Sequence, residues 1–380
     1  MACLGSSTAL PFFVLSPTGR KRDAHRAPRE RPHYPQPVRR SFTPRVLTLR
    51  ATAASTSQRS LSSDWAYAAT QLALAFPPTA WALKRLGRSM VIRRAEQLGI
   101  PWRRNYWLMQ MQRYELEQRR ARLVNRDLVY PRYYLDAQFH TYTDGNLGWM
   151  PALEVESSAL SVHARLFPDA PPLEGDRRLR DTFLDRLLPY LRSVLADGPE
   201  PYRVLDMGCS TGRSTFHLID RLLQSELVRP LEVTGLDLSP FMLAVAEWYA
   251  THRGYDEGVR MLWKHGAAED VPEPSNAFNL VTCSLVTHEL PQTATGKLIR
   301  EAHRVLRPGG MLGMMDSDPH SDGFRSLPAP ALAIFRSTEP YFAEYEKVDV
   351  ARELQDTGFE LCLTENNTTR HRTWIARKTQ

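Results

Sequence analysis

Val204-Leu205-Asp206-Met207-Gly208-Cys209-Ser210-Thr211-Gly212 decides how this chain is read. An apolar run reads as a strand over Val204–Met207, two glycines break it, and a helix is expected from about Arg213 to Leu223. A glycine turn between a strand and a helix lets the backbone come close to a ligand and offers it the free N–H groups of the helix start. A dinucleotide fingerprint would need glycine at positions 210 and 213, and Ser210 and Arg213 stand there instead. An acid two residues before Gly208 and a second glycine at Gly212 are the features left to explain.

Outward from this turn, strands and helices alternate. An amphipathic helix precedes it, with Leu179, Phe183, Leu187, Leu188, Leu191 and Leu195 at helical spacing and Pro189 expected to kink or divide it. Further strands are expected over Leu231–Asp237, Met261–Lys264, Leu280–Ser284 and Met311–Met315. Ser239-Pro240 reads as an N-cap with proline at the first helical position. A helix near Val350–Thr357 and strands over Glu360–Thr364 and Arg372–Ala376 follow. Alternating βα units call for an α/β fold, an open and mostly parallel seven-stranded sheet with helices on both faces.

Asp237 ends the second strand, where a carboxylate can accept from both hydroxyls of a ribose, although a strand-end Asp can also be only a helix cap. Gly266-Ala267-Ala268-Glu269-Asp270 follows the third strand, Phe278–Ser284 is a buried fourth, and His303–Leu306 reads as a helix ending in a Pro308-Gly309-Gly310 turn into the fifth. Each is weak alone. In this order, at βα spacing, the set resembles the class I S-adenosylmethionine-dependent methyltransferases, nearest the group that includes the ubiquinone and menaquinone methyltransferases. The Tyr133-Tyr134 pair, Asp144-Gly145-Asn146-Leu147, Thr287-His288-Glu289, Ser337-Thr338-Glu339-Pro340 and Arg370-His371-Arg372-Thr373 resemble a branch found in plants, algae and cyanobacteria. The wider likeness spans about residues 200–380 and the narrower one about 120–380.

The resemblance implies S-adenosyl-L-methionine as cofactor, with Asp206, Gly208, Ser210 and Gly212 around its methionine and ribose portions. Asp237 would hold the ribose hydroxyls, Leu238 would pack on adenine, and Ala268 and Glu269 would border the ring. Two departures stand out: Ser210 replaces a glycine, and Ala267 replaces an acid that often binds the adenine amino group. Methyl transfer from a sulfonium mainly needs a positioned nucleophile and a dry site, with a base when the nucleophile is a phenol or an acidic C–H. His288 and Glu289, just past the fourth strand, are the candidates for that base, with a packed ring and a helix cap as their plain structural alternatives; His320 and Asp316 are weaker ones.

Charge restricts the partners. Residues 1–60 hold 11 of the 49 Lys and Arg but two of the 42 acids, leaving 38 basic against 40 acidic residues over 61–380. A basic tail rich in Ser, Thr and Pro reads as a transit peptide over residues 1–55, directing the protein to the chloroplast stroma, with the mitochondrion as the alternative destination and a retained polyanion-binding arm as the alternative reading. The near-neutral body disfavours a nucleic-acid partner. Four scattered cysteines, Cys3, Cys209, Cys283 and Cys362, have no metal or disulfide spacing. The uncharged run Trp65–Leu83 contains Gln71 and Pro77-Pro78 and reads as a buried or surface-lying segment.

Residues 56–150 read as a helical N-terminal extension and 151–380 as the methyltransferase domain. Within the extension, Trp102, Tyr106, Trp107, Met109, Met111 and Tyr114 lie among arginines. The expectation is that these rings pack on the core, with peripheral membrane contact or RNA stacking as the other uses. The loop 140–149 either lines a substrate mouth or only connects. A small acceptor, lipid-like or quinone-like, is expected; RNA or protein methylation and a non-catalytic cofactor-binding scaffold are the alternatives.

Overall fold

Strand β1 (Tyr202–Met207) lies at the centre of the sheet, between β2 (Leu231–Asp237) and β4 (Phe278–Ser284), both parallel to it. The computed structural model describes residues 77–380 except 138, 140–141, 143–144, 193–199, 226–229, 256–257, 329–331, 333–334 and 337. The expected transit peptide and residues 65–76 of the uncharged run lie outside them, as do His140 and Asp144. With β3 (Val259–His265), β5 (Leu306–Ser317), β6 (Phe359–Asn366) and β7 (His371–Lys378), the open seven-stranded sheet runs β3-β2-β1-β4-β5-β7-β6. β7 alone runs opposite to the other six strands, so the sheet is mixed at one edge and parallel elsewhere.

Alternation along the strands fills both faces. Val204 and Val233 face one core with Leu280 and Met311, covered by α6 (Gly175–Arg192) and α7 (Arg213–Gln224). Leu205, Leu236 and Val281 face the other, covered chiefly by α9 (Gln292–Val305). Fully buried side chains such as Leu187 and Leu298 each contribute roughly 1.5–3 kcal/mol. Pro189 does not divide α6, which is continuous from Gly175 to Arg192. Burial of Leu187, Leu188 and Leu191 around it offsets the one backbone hydrogen bond the proline removes. The expected Pro308-Gly309-Gly310 turn is instead an irregularity inside β5: the partner of Phe278 is Leu306, while that of Leu280 is Met311.

The extension forms α1 (Pro77–Gln97), α2 (Trp102–Met111), α3 (Arg113–Leu123) and the short α4 (Arg132–Asp136), followed by α5 (Trp149–His163). Met109 of α2 and Leu116 of α3 pack with Trp149 and Leu153 of α5 against Met242 and Val245 of α8 (Pro240–Arg253). The described residues, Pro77 to Gln380, belong to one compact unit. The expectation that the aromatic stretch packs inward holds for Trp102 and Met109, whereas Trp107, Met111 and Tyr114 point outward. No described helix is long and apolar enough to cross a membrane.

Candidate functional site

The turn after β1 is held from β2. Gly208 and Cys209 donate their backbone N–H groups to the Leu236 carbonyl (2.8 and 3.0 Å), and Gly212 N–H closes on the Cys209 carbonyl (2.8 Å). Gly208 (φ +71°) and Gly212 (φ +83°) occupy the left-handed region, where a Cβ costs roughly 1–2 kcal/mol. At Gly208 a Cβ would also stand 2.5 Å from the Val286 side chain. Ser210 is left-handed too (φ +50°), and so is Leu285 (φ +60°) just past β4, so non-glycine strain collects at the carboxyl ends of the central strands. The extra hydroxymethyl of Ser210 turns onto Met242 Sδ (3.6 Å), which explains how the chain tolerates a side chain there.

Asp237 ends β2 with both oxygens fixed: Ser210 N–H donates to Oδ2 (2.7 Å) and Ser239 N–H to Oδ1 (2.8 Å). The α8 cap is a different group, since the Ser239 hydroxyl accepts from Met242 N–H (3.4 Å). Burial pushes the Asp237 carboxyl up to about 6, against those two backbone N–H groups, with Glu289 and Asp206 adding to the rise. Its residual exposure leaves lone pairs for hydroxyl donors from outside the protein.

Asp206 differs in kind. It is 1 % exposed and accepts from Thr215 Oγ1 (2.6 Å) and Thr282 Oγ1 (2.8 Å), tying β1 to β4 and α7 beneath the turn. This geometry makes it a positioning group. The start of α7 is braced in turn by Arg213, which reaches Glu156 of α5 and Asp176 of α6. Asp176 also takes His163 Nδ1 (2.8 Å) and Arg180 Nε (3.2 Å). Burial alone would raise the Asp176 carboxyl, but Arg180 and Arg213 hold it well below the usual range.

The side past β3 is roofed by residues from the extension. His265 Nδ1 accepts from Asn125 N–H (2.9 Å), which places its proton on Nε2, within reach of the Leu238 carbonyl (3.0 Å) and the Tyr130 hydroxyl (2.8 Å). Tyr133 donates to Glu269, and Ala267 forms a bridge with Asp270. Gly266, Ala267 and Glu269 line a cavity of about 660 Å³ together with Tyr130–Tyr133 and with Thr293, Ala294 and Lys297 of α9. The Tyr134 phenol, bonded to Asn146, is held well above its ordinary range by burial and by the charges of Asp237 and Glu289. The turn expected at Gly145-Asn146 fastens both strand tips, with Asn146 Nδ2 donating to Glu289 (3.1 Å) and its carbonyl accepting from Ser239 Oγ (2.7 Å).

His288 and Glu289 lie in a single 3-10 turn, Thr287–Glu289, just beyond β4. His288 Nδ1 is 2.6 Å from Asp316 Oδ1 on β5, and Asp316 Oδ2 accepts from Thr287 N–H (2.7 Å) and Thr287 Oγ1 (2.6 Å). Burial lowers the proton affinity of His288, but the Asp316 carboxylate, with Glu339 and Glu289 behind it, outweighs this and raises it to about 9. His288 is therefore an imidazolium at neutral pH. His288, Glu289 and Glu339 bring donor atoms within 4.8 Å of one another, the one such set among the described residues. The sequence indicated no metal, and with Asp316 on the ring the set forms a cation enclosed by carboxylates. His320 stands apart, its Nε2 on the Glu346 carbonyl (3.0 Å).

Leu238, just past β2, and Ala268, just past β3, are half-buried, and neither is among the residues that line the cavity. Tyr134, Asn146 and Glu339 are the residues that sequence reasoning left without a role, although each falls in a segment that carried the branch resemblance.

Residues 204–310 match the family model described as a methyltransferase domain. A demethylmenaquinone methyltransferase of Anoxybacillus flavithermus is 34% identical over 144 residues, 37% of this chain and 55% of the relative. One of Geobacillus kaustophilus is 37% identical over 127 residues, 33% of this chain and 50% of the relative. An uncharacterized methyltransferase of Synechocystis is 34% identical over 133 residues, 35% and 54% of the two chains. The chain spans about half the length of the curated relatives it matches. The matched segment runs from β1 to the Pro308-Gly309-Gly310 irregularity of β5 and so takes in the glycine turn, Asp237 and the His288–Glu289 turn. On that ground residues 204–310 form a methyltransferase domain, and the chain resembles the class I S-adenosylmethionine-dependent methyltransferases of the menaquinone group.

Proposed function

We propose that this protein transfers a methyl group from S-adenosylmethionine to a small quinol-like or lipid-like acceptor in the plastid stroma. The observation that carries the reading is Asp237: a half-buried carboxylate at the tip of β2, with each oxygen fixed by one backbone N–H and with lone pairs to spare. That donor set fits two vicinal hydroxyls of a ribose. The glycine turn supports the same cofactor, and the buried Thr211 hydroxyl beside it makes no hydrogen bond within the described residues. Leu238 and Ala268 supply apolar surface and Glu269 an acceptor, in place of the acid missing at Ala267.

When bound, the cofactor supplies a methyl group already activated by its positive sulfur. The chain's own task is to hold the nucleophile, exclude water and manage one proton. His288, protonated at neutral pH, stabilises a negative oxygen such as a phenolate. Glu289, beside it and bonded by Asn146, accepts the proton when the acceptor is a phenol or an acidic C–H. The quinone preference rests on the names of the relatives, and the plastid on the composition of residues 1–60.

Incubation with labelled S-adenosylmethionine and fractionated plastid lipids, RNA and protein tests the reading. Label in the lipid and quinone fraction is expected. Label in RNA or protein would favour the other methyltransferase readings, and cofactor binding without transfer to any fraction would favour a scaffold. N-terminal sequencing of the organellar protein checks the location, since an intact start at Met1 or Ala2 would refute cleavage.

A further inference from the structure

The outward side of α2 and α3 is an apolar stripe without a partner in the described chain. The two helices are separated by Gln112 alone, which leaves the helical region for the bridge region (φ −83°, ψ 2°) while its carbonyl still accepts from Leu116 N–H. One side buries Trp102, Met109 and Leu116; the other presents Trp107 (63 % exposed), Met111 (61 %) and Tyr114 (76 %) at helical spacing, with Leu108 beside them. An ordinary surface helix puts polar residues there. On α1, Leu86 and Met90, one turn apart, are exposed as well.

The charge of the folded region is concentrated in the same segment. Residues 77–114 contain eight Lys and Arg and one acid, Glu96, whereas residues 61–380 as a whole are slightly acidic. That acid is engaged by Arg103, through its backbone N–H (3.0 Å) and its guanidinium (3.6 Å). Arg85, Arg93, Arg94, Arg103 and Arg104 are exposed.

From this pairing of bare apolar side chains with a strongly positive balance, eight basic residues against one acid over residues 77–114, we infer that the outer face of α2 and α3 docks on an anionic lipid surface. Tryptophan, tyrosine and methionine fill the boundary between headgroups and acyl chains, and arginines beside them meet lipid phosphates. Charge chooses the occupant. A second copy packed about a twofold axis would set Arg103 and Arg104 against like charges. RNA could stack bases on Trp107 and Tyr114, but Leu108 and Met111 between them offer it no hydrogen-bond donor. The inference concerns binding alone and stands whatever acceptor the crevice takes.

The test is flotation of the full chain with vesicles of phosphatidylcholine alone, and of three parts phosphatidylcholine to one part phosphatidylglycerol. The wild type should bind the anionic vesicles. Trp107→Ser combined with Met111→Ser and Tyr114→Ser should weaken that binding by about tenfold or more, with circular dichroism unchanged because all three side chains are exposed. Arg103→Glu with Arg104→Glu should weaken it as well, by a route that leaves the apolar stripe whole. Binding within twofold of wild type in both variants would overturn the inference and assign lipid contact to the basic residues 1–60. So would wild-type dimers dissociated by the triple substitution without vesicle binding, or capture by RNA in place of vesicles.

Discussion

Replacement of Asp237 by Asn changes the charge of one group and little of its shape, and its effects can be worked out from the structure. In the free protein the carboxyl titrates at about 6, so it is roughly nine-tenths ionised at pH 7 and one-tenth at pH 5. If only the ionised form holds the ribose hydroxyls, the wild-type dissociation constant for S-adenosylmethionine rises by about tenfold between those pH values. The cofactor's own α-amino and carboxyl groups keep their charge over that range. Hydrogen bonds to an ionised acceptor contribute roughly 1.5–3 kcal/mol each, so Asp237→Asn should bind about tenfold more weakly or worse at pH 7 and show a flat profile down to pH 5. Folding stability should scarcely move. Holding the ionised carboxylate costs roughly 3 kcal/mol by the size of its shift, cut to about 1–2 by partial exposure. Asn escapes that cost but turns an N–H toward the backbone N–H of Ser210 or Ser239, losing a similar amount. Calorimetric titration at pH 5, 6 and 7, with urea unfolding of both proteins, measures every part. A wild-type affinity independent of pH, or an Asn variant within threefold at pH 7, would refute Asp237 as the ribose carboxylate.

The other perturbations act on the groups around it. His288 is raised to about 9 from its ordinary 6.5; its stabilisation is complete below pH 6.5 and is lost as pH rises through 9, up to about 3 kcal/mol. Urea midpoints for wild type and His288→Gln at pH 6.5 and 9.5 should show that slope only in the wild type. Asp176→Asn weakens the buried partner of Arg180 and Arg213 and should cost about 3–5 kcal/mol, read as a large fall in melting temperature, with cofactor affinity reduced through the loosened start of α7. Gly208→Ala meets both a positive φ and Val286 and should destabilise by at least about 1–2 kcal/mol, measured by thermal melting.

The sequence made the crevice legible because its parts are local. A strand, a glycine turn and a helix start lie within nine residues from Val204 to Gly212, and Asp237 announces itself at the end of an apolar run. Contacts between distant segments were harder. His288 meets Asp316 only because β4 and β5 are neighbours whose tips end together, a pairing 28 residues apart in the chain. Asp206 looked like a ligand group from its place before the glycine, but its threonine partners sit 9 and 76 residues away, and only the fold shows it buried between them. The extension misled for another reason: α2 is apolar on both sides, so residue type alone could not tell Trp102, which is buried, from Trp107, which is not.

The position of β7 bears on how the sheet is assembled. In chain order β6 comes first, yet β7 lies between it and β5, so β6 has no place to dock until β7 is present. The two are joined by four residues, Asn367 to Arg370, and a tight turn in which Asn367 N–H donates to the His371 carbonyl (3.0 Å). Such a hairpin closes in microseconds, far faster than parallel strands can find one another through long crossovers. The β6–β7 pair should therefore arrive as a preformed unit and cover the β5 edge in one step. Until it does, β5 presents an apolar strand with a bare hydrogen-bonding edge, the kind of surface that recruits other chains. Fast closure of one short turn therefore keeps β6 and β7 from prolonging the time for which that edge is open to misassembly.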